Sequence, residues 1–541
     1  MRLIRILLVL VGAGVVTLAQ TSTPAKVRQL SLQDCIQLAL KNNLDLQIDR
    51  YNPEISLFTL KANYGGYDPT LSLSGQHDHA ETGSQLISGS VATSGAIAPG
   101  SISDDNAFSA SLGGLLPWGT TYTLGTLTPI QDTYGSNSKL ANNYAQPPVS
   151  FGTNTLNLTS GNSLSYLTTN YSQILTRQPF ENSVGAVGFQ VSQPLLKNFW
   201  IDQTRLNIRV AKNRLKYSQL TLQLQIMQTV TALEQAYYEL IYDGQNVLVQ
   251  QKAVELAEQL VVENKKRLEV GTLAELDLKQ AEAQAATSRA TLIAAKSTLQ
   301  VQQNLMKQLI TDQYAAWANI AVEPSGTLAA PVRFFNLQDS WSKALTQRPE
   351  ILQTKLDLEK AGIQLKYDRN QLFPELDVFG TFGYNGSGTE FSGALYDIQS
   401  TDHPFYTYGG KISIPLGNRS ARNTYKVSKM SLEQALLTLK KTERDIMVQI
   451  DNDIKLARSS YEQVGATRAA REYEEAALDA EQKKLENGKS TTYTVLQVQR
   501  DLTSARGNEI QALDTYNKNL SQLSFDEGTT LDRLGIDLQV K

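Results

Sequence analysis

The chain has 541 residues, more than one ordinary hydrophobic core accommodates, and its formal net charge of −3 implies no large basic face for nucleic acid. Hydrophobic residues make up 41% of the chain, a value typical of a soluble domain, yet the 23 Tyr outnumber the 14 Phe and 4 Trp together. This balance favours wide, thin, wetted surfaces over one thick core.

The first 19 residues have the pattern of a signal peptide. Arg2 and Arg5 form a basic start, residues 6–19 form an apolar run of 14, and Thr17 and Ala19 are small enough for cleavage. A transmembrane helix needs about 20 apolar residues, and we find no later stretch of that kind. We therefore expect an exported protein in which any membrane insertion uses strands.

Cys35 is the only cysteine of the chain. A lipoprotein cysteine would directly follow the apolar run, whereas Cys35 lies 16 residues past Ala19, inside a predicted helix. We therefore interpret Cys35 as a packed helical residue, and one cysteine makes no internal disulfide.

Two segments 305 residues apart carry nearly the same helix opening. LQDCIQLALKN begins at Leu32 and LQDSWSKALTQ begins at Leu337, and Pro69 and Pro374 align at the same offset. This spacing predicts an internal twofold repeat. The expected organisation is a signal peptide (1–19), an N-terminal linker (20–31), a first repeat (32–310), a linker or equatorial segment (311–336), a second repeat (337–523) and a C-terminal tail (524–541).

Each repeat contains two segments of alternating polarity that predict β-strands. They cover residues 71–74, 187–193, 376–384 and 405–414. Alternating segments of about 10 residues suit transmembrane strands, although a half-buried strand in a soluble sheet has the same pattern.

An insert over residues 76–185 separates the first strand pair and is rich in Ser, Gly, Asn and Thr. Its segment FSASLGGLLPWGTTYTLGTLTP predicts an extra hairpin that turns between Pro117 and Gly119. We expect an extracellular extension, with four membrane strands retained per chain. The alternative is that the insert lengthens the barrel wall.

The helices carry seven-residue apolar repeats. Every seventh residue from Ile226 to Leu268 is apolar, and a second series begins at Leu432, which predicts coiled-coil packing. Outside these apolar series, Gln, Ala, Ser and Thr are frequent, as in helices that line a water-filled space. Two helices of 67 residues (202–268 and 420–486) are each matched by two shorter helices placed end to end (273–310 with 338–370, and 490–523 with 33–65).

Four strands cannot close into a barrel within one chain. In lipid, each unpaired backbone group at an open sheet edge costs several kcal/mol, so we expect several copies to complete the barrel. Twelve strands from three chains lie within the known range of barrel sizes.

The chain resembles the TolC-type outer-membrane efflux proteins over residues 30–525. The resemblance depends on the openings LSLQDCIQLALKNN and FNLQDSWSKALTQRPEI, on the strand exits VSQPL (191–195) and ISIPL (412–416), and on two glycine-containing helix tips. It implies an α+β membrane protein. The expected assembly is a trimeric 12-stranded outer-membrane β-barrel, with four strands per chain, continued by a long periplasmic α-helical coiled-coil barrel.

The same resemblance implies a function and a set of partners. A homotrimer in the outer membrane of a Gram-negative-type bacterium would passively conduct drugs, small molecules or proteins. Its partners would be outer-membrane lipid, a periplasmic adaptor (membrane fusion) protein and an inner-membrane pump or ABC exporter, with no nucleic acid. The alternative function is a non-conducting periplasmic coiled-coil adaptor or scaffold.

The two helix tips align through Gly271 and Gly488. Glycine directly after a helix is the usual left-handed cap, so we expect positive φ at both positions. The candidate adaptor-contact residues are Arg267, Val270, Gly271, Leu273, Lys484, Asn487, Gly488 and Lys489.

The resemblance also implies a pore gate beside the second tip. Members of this family carry inward-pointing aspartates just past the second glycine, but here Thr494 and Gln497 occupy those positions, and Ser490 stands in place of a basic gate residue. Asp277, six residues after Gly271, is the remaining acidic candidate. The alternative is that Asp277 is an exposed carboxylate with no role in gating.

No pattern in the chain predicts catalysis or a cofactor. NGKST (487–491) resembles the end of a phosphate loop, but Lys483 stands where the first glycine is required. His77 and His79 form an HDH motif that could bind a metal, although two solvated side chains near the end of a strand are the simpler interpretation. We therefore expect no enzyme and no metal site.

Overall fold

The computed structural model describes residues 26–83, 85–86, 97–98, 100–142, 151–157, 163–169, 173–271 and 274–536. The predicted signal peptide, Leu273 and the last five residues lie outside the described residues. The chain divides into two compact units, here called the helical unit (within 1–56, 215–357 and 436–541) and the sheet unit (57–214 and 358–435).

The elements are bounded as follows. The helices are α1 (Leu32–Asn42), α2 (Leu44–Tyr64), α3 (Gln203–Glu269), α4 (Glu275–Ile310), α5 (Tyr314–Trp317), α6 (Leu337–Gln347), α7 (Pro349–Asn370), α8 (Phe391–Ser400), α9 (Arg419–Glu486), α10 (Thr492–Asp526) and α11 (Thr530–Leu534). The strands are β1 (Lys26–Leu30), β2 (Thr70–Glu81), β3 (Gln85–Leu86), β4 (Ile97–Ala98), β5 (Ile102–Leu115), β6 (Thr121–Asn142), β7 (Phe151–Asn157), β8 (Ser163–Thr169), β9 (Gln173–Pro194), β10 (Ile320–Pro324), β11 (Glu375–Gly388) and β12 (Pro404–Ser413).

The long helices α3 and α9 have 67 and 68 residues, in agreement with the prediction. The helices predicted over 33–65 and 338–370 are each broken, at Asn43 and at Arg348, where ψ is 123° in both cases. Pro349 disfavours the helical conformation of Arg348. Asn43 instead caps α2, because its Oδ1 accepts a hydrogen bond from the Leu46 N–H at 3.1 Å. The two breaks lie 305 residues apart, at the same offset as the predicted repeat.

The predicted seven-residue series pack the helical unit. The members with 7% exposure or less are Ile226, Leu233, Leu240 and Val247 in α3, and Ile446, Ile450, Ala457, Val464, Leu478 and Leu485 in α9. Cys35 belongs to the same core as Ile226 and is fully buried, so its interpretation as a packed helical residue is confirmed. Burial raises the pKa of the Cys35 thiol to about 12. A small parallel pair, β1 with β10, adds Leu30 and Val322 to this core.

The sheet unit contains a six-stranded antiparallel sheet in the order β12-β11-β9-β6-β5-β2. This sheet has six strands, whereas we expected four membrane strands per chain. The predicted hairpin in the insert exists, with Gly119 at φ +91° in its turn, but β5 pairs along β2 and β6 pairs along β9. Both strands of the hairpin therefore lie inside the sheet, between β2 and β9.

The connection between β11 and β12 contains the short helix α8, which we did not predict. Ala394 of α8 is fully buried against the sheet, where Gly386 and Gly388 leave no room for a Cβ atom. Among the described helices, none combines the length and the apolar character needed to cross a membrane.

Candidate functional site

The two tips of the helical unit have the predicted left-handed glycines. Gly271 has φ +74° and Gly488 has φ +69°. At the second tip the Gly488 N–H donates to the Leu485 carbonyl at 3.1 Å and the Lys489 N–H donates to the Lys484 carbonyl at 2.8 Å. A Cβ atom placed on either glycine meets nothing within 4 Å, so the constraint is backbone conformation rather than space.

The two tips lie side by side. The Arg267 guanidinium at the end of α3 donates to the Leu485 carbonyl at the end of α9 at 3.5 Å. Behind them, Leu260 packs in one apolar cluster with Leu485 and Val495. The described candidate contact residues of the two tips therefore lie close together, and Val270 among them is 72% exposed. Lys484, Asn487 and Lys489 are exposed as well.

Valine at both tip glycines is expected to weaken coupling to an adaptor while leaving folding intact. A β-branched residue at positive φ costs about 1–2 kcal/mol and shifts each turn away from its present geometry. Adaptor-dependent drug export measured in cells should fall. Gly244→Val with Gly465→Val is the matched control, because these glycines lie within α3 and α9 and a Cβ atom there also meets nothing within 4 Å. Unchanged export by the tip variant would contradict the prediction.

The gate candidates occupy two neighbouring helix starts. Thr491 caps α10 by accepting the Thr494 N–H at 3.3 Å, and Gln497 is exposed one turn later. Asp277 is half-buried in the first turn of α4. Within the described part of the chain, no hydrogen bond joins Asp277 to Thr494, Gln497 or Ser490.

Sequence reasoning missed an acidic residue at this tip. Ser490 donates to Glu481 at 2.7 Å, and Lys484 is paired with the same carboxylate at 2.5 Å. Hydrogen bonds from Lys484 and Ser490 lower the pKa of Glu481, which keeps it ionised. The signal in the sequence was the i,i+3 spacing of Glu481 and Lys484.

A second group of acids lies buried between α3 and α10. Asp243 and Asp514 are 3% and 5% exposed. Burial raises the pKa of Asp243 to about 6, and burial with the charge of Asp243 raises the pKa of Asp514 to about 7. Lys518 pairs with Asp514 at 2.6 Å and also with Glu239. A groove of about 370 Å³ lies nearby and is lined by residues of α3, α4 and α10, including Tyr242, Gln284 and Asn508.

The break before α7 holds a third charged cluster. The Arg348 guanidinium lies 3.1 Å from Glu350 and 3.2 Å from Asp526, whose side chain is fully buried. The pKa of Asp453 is raised to about 7. Burial is the larger cause, and the neighbouring Asp526 carboxyl group is the second. Asp453 and Asp526 are remote from Arg348 in sequence, so no spacing pattern could have grouped them with it.

The free energy of unfolding is expected to fall as the pH rises from about 4 to about 7, because folded Asp453 retains a proton that the unfolded chain releases. Asp453→Asn removes this contribution and should raise the free energy of unfolding at pH 8 by about 1–3 kcal/mol, with little change at pH 4. Urea unfolding at the two pH values measures the difference. Asp445→Asn, an exposed carboxylate of the same helix, is the control. An equal effect of Asp453→Asn at both pH values would contradict the prediction.

The two histidines of the HDH motif lie near the C-terminal end of β2, in agreement with the expected position near the end of a strand. His77 Nδ1 lies 2.8 Å from Asn106 Oδ1, and His79 Nδ1 lies 2.5 Å from Asp104 Oδ1. Both contacts are exposed cross-strand pairs between β2 and β5. The described residues contain no group of three or more side chains that could hold a metal ion.

Comparison with known proteins identifies relatives of one kind. Residues 341–525 match the family model of the outer membrane efflux proteins. Outer membrane efflux protein BepC of Brucella suis is 24% identical over 361 residues, which cover 66% of this chain and 75% of BepC.

Several solved structures share the fold, among them two outer membrane channels. The Campylobacter jejuni CmeC outer membrane channel has a TM-score of 0.61 at 15% identity, and the alignment covers 92% of this chain and 86% of the CmeC chain. The open state of the Neisseria gonorrhoeae MtrE outer membrane channel has a TM-score of 0.59 at 14% identity, and the alignment covers 92% of this chain and 89% of the MtrE chain. The resemblance to the TolC-type outer-membrane efflux proteins is thereby confirmed. The matched family model and these relatives are described as efflux proteins and channels, in agreement with the prediction that the chain is not an enzyme.

Proposed function

We propose that this chain, which shares its fold and a sequence domain with the outer membrane efflux proteins, forms a trimeric channel in the outer membrane. The channel passively conducts small molecules or proteins that an inner-membrane pump delivers through a periplasmic adaptor. The sheet unit spans the membrane, the helices wall the tunnel in the periplasm, and the paired tips meet the adaptor.

The two faces of the sheet carry this proposal. Phe189, Phe382 and Tyr406 lie opposite one another across β9, β11 and β12, and they are 43%, 51% and 74% exposed. The next row, Gln190, Thr381 and Thr407, points to the other face and is polar. An exposed apolar face backed by a polar one is the pattern of a strand between lipid and a water-filled lumen. A soluble scaffold would leave these aromatic side chains in water.

The mass of the detergent-extracted protein tests the assembly. We expect the mass of three chains, and heat-modifiable mobility on gels of outer-membrane fractions. A periplasmic adaptor would appear in the soluble fraction and would show no such mobility shift. A folded monomer inserted in bilayers would overturn the trimer.

Asp277 is expected to contribute a ring of three charges at the periplasmic mouth. Several carboxylates that converge in a narrow passage attract cations, so Asp277→Asn should lower cation selectivity and divalent block. Single-channel recordings in planar bilayers measure both quantities, as reversal potential and as divalent sensitivity.

Glu282→Gln is the matched control for Asp277→Asn. Glu282 lies on the same helix but is paired with Lys279 at 2.9 Å in an exposed position. If Asp277→Asn has the reversal potential and the divalent sensitivity of the parent channel, Asp277 is a surface carboxylate without a role in the gate.

A further inference from the structure

The insert hairpin has strands long enough to cross a bilayer. A transmembrane strand needs about 9–11 residues. β5 has 14 residues and β6 has 22, and the four remaining strands of the sheet have between 10 and 22. β5 and β6 also occupy the middle of the sheet, between β2 and β9.

The exposed apolar row of β9, β11 and β12 continues without a break through the insert. Phe189 lies opposite Leu124 of β6, Leu124 lies opposite Leu112 of β5, and Leu112 lies opposite Leu71 of β2. Leu124, Leu112 and Leu71 are 51%, 36% and 65% exposed. One row of six apolar side chains, from Leu71 to Tyr406, therefore crosses all six strands on one face.

The polar row continues in the same way. Gln190 lies opposite Thr123 of β6, Thr123 lies opposite Gly113 of β5, and Gly113 lies opposite Thr70 of β2. The alternation of the hairpin is therefore in phase with that of the other four strands. A hairpin that projected into water beyond the membrane would have no reason to keep an exposed Leu row on one face.

A helix from the second repeat reaches the insert strands. The ring of Phe391 in α8 contacts the ring of Phe108 in β5, with centroids 5.4 Å apart. The hairpin is thus held by packing as well as by backbone pairing. Beyond Phe108 the same face becomes polar, with His77 opposite Asn106 and His79 opposite Asp104, which marks the end of the apolar band.

The two edge strands of the sheet, β2 and β12, are suited to pair with each other. All twelve residues of β2 are exposed, and Leu71 and Tyr406 end the apolar row at the two edges. Six antiparallel strands make β2 and β12 run in opposite directions, so β12 of one copy can pair antiparallel with β2 of the next, as barrel closure requires.

We propose that the β5–β6 hairpin is part of the membrane wall, and that β2 and β12 of neighbouring copies pair to form a wall of eighteen strands in a trimer. This inference rests on the proposed function, which supplies the membrane and the copy number. Because barrel diameter grows roughly linearly with strand number, the wall is about 1.5 times as wide as one of twelve strands.

Site-directed spin labelling tests whether the hairpin lies in the wall. Single cysteines replace Leu124 and Thr123 in a Cys35→Ala background, and the protein is reconstituted in liposomes. The Leu124 label should be accessible to oxygen, which concentrates in lipid, and the Thr123 label to a water-soluble nickel chelate. Phe382→Cys is the reference position for the proposed membrane sheet.

The label at position 382 distinguishes failure of the proposed function from failure of this inference alone. If the labels at Phe382 and Leu124 are both reached from water, the proposed function fails together with this inference. If the Phe382 label lies in lipid and the Leu124 label lies in water, the hairpin is an extracellular extension and only the inference is overturned.

Disulfide formation in the trimer tests the strand order. Leu71 and Leu112 are directly opposite, so cysteines at both positions should form a disulfide within one chain. Leu71 and Phe189 are three strand spacings apart, about 14 Å, too far for a disulfide. Efficient disulfide formation between cysteines at positions 71 and 189, with none between cysteines at positions 71 and 112, would place β2 beside β9. The wall would then have twelve strands.

Discussion

Arg348→Met is expected to lower the free energy of unfolding of the helical unit by about 3–5 kcal/mol, because it leaves buried carboxylates without their cation. Arg348 is 7% exposed, and its partner Asp526 is fully buried, with Asp453 beside it. Urea unfolding in detergent at pH 8 measures the loss. The loss should shrink at pH 5, where Asp453 is protonated because burial raises its pKa to about 7.

Arg444→Met is the matched control for Arg348→Met. Arg444 is paired with Asp445 at 2.7 Å, but its side chain is 70% exposed, so removing it should change the free energy of unfolding by less than about 1 kcal/mol. The double variant Arg348→Met, Asp526→Asn should recover part of the loss. Equal effects of Arg348→Met and Arg444→Met would show that the cluster contributes packing alone.

Phe382→Lys is expected to prevent assembly in the outer membrane almost completely. Phe382 lies in the middle of the exposed apolar row, and a lysine on the lipid face near the midplane costs about 2–4 kcal/mol per copy. In a trimer the penalty occurs three times. The amount of heat-modifiable protein in outer-membrane fractions measures the effect.

Thr381→Lys is the control on the neighbouring residue of the same strand. Thr381 lies in the polar row between Gln190 and Thr407, where a lysine reaches water in the proposed lumen. It should assemble like the parent protein. If Thr381→Lys blocks assembly and Phe382→Lys does not, the two faces of the sheet are assigned the wrong way round.

The helical unit was largely predictable because its signals are periodic. The heptad series that begin at Ile226 and Leu432 predicted α3 and α9, and the offset of 305 residues predicted the paired helix starts at Leu32 and Leu337. The aligned glycines predicted the two tips, since left-handed caps depend on local backbone conformation.

The sheet unit was less predictable because its pairing is non-local. The hairpin between β5 and β6 was visible in the sequence, but its place between β2 and β9 depends on partners that are distant along the chain. The buried clusters around Asp514 and Asp526 were missed for the same reason. Asp243 and Asp514 are brought together only when α3 packs beside α10, and neither residue stands in a motif.

Conductance in planar lipid bilayers tests the central claim most directly. The purified, detergent-extracted chain is added to one side of a bilayer, and the current is recorded at fixed voltage. A water-filled channel predicts discrete current steps of uniform size, each from one inserted trimer. Protein that inserts into the bilayer, as shown by flotation with liposomes, and yet produces no current steps would contradict the account.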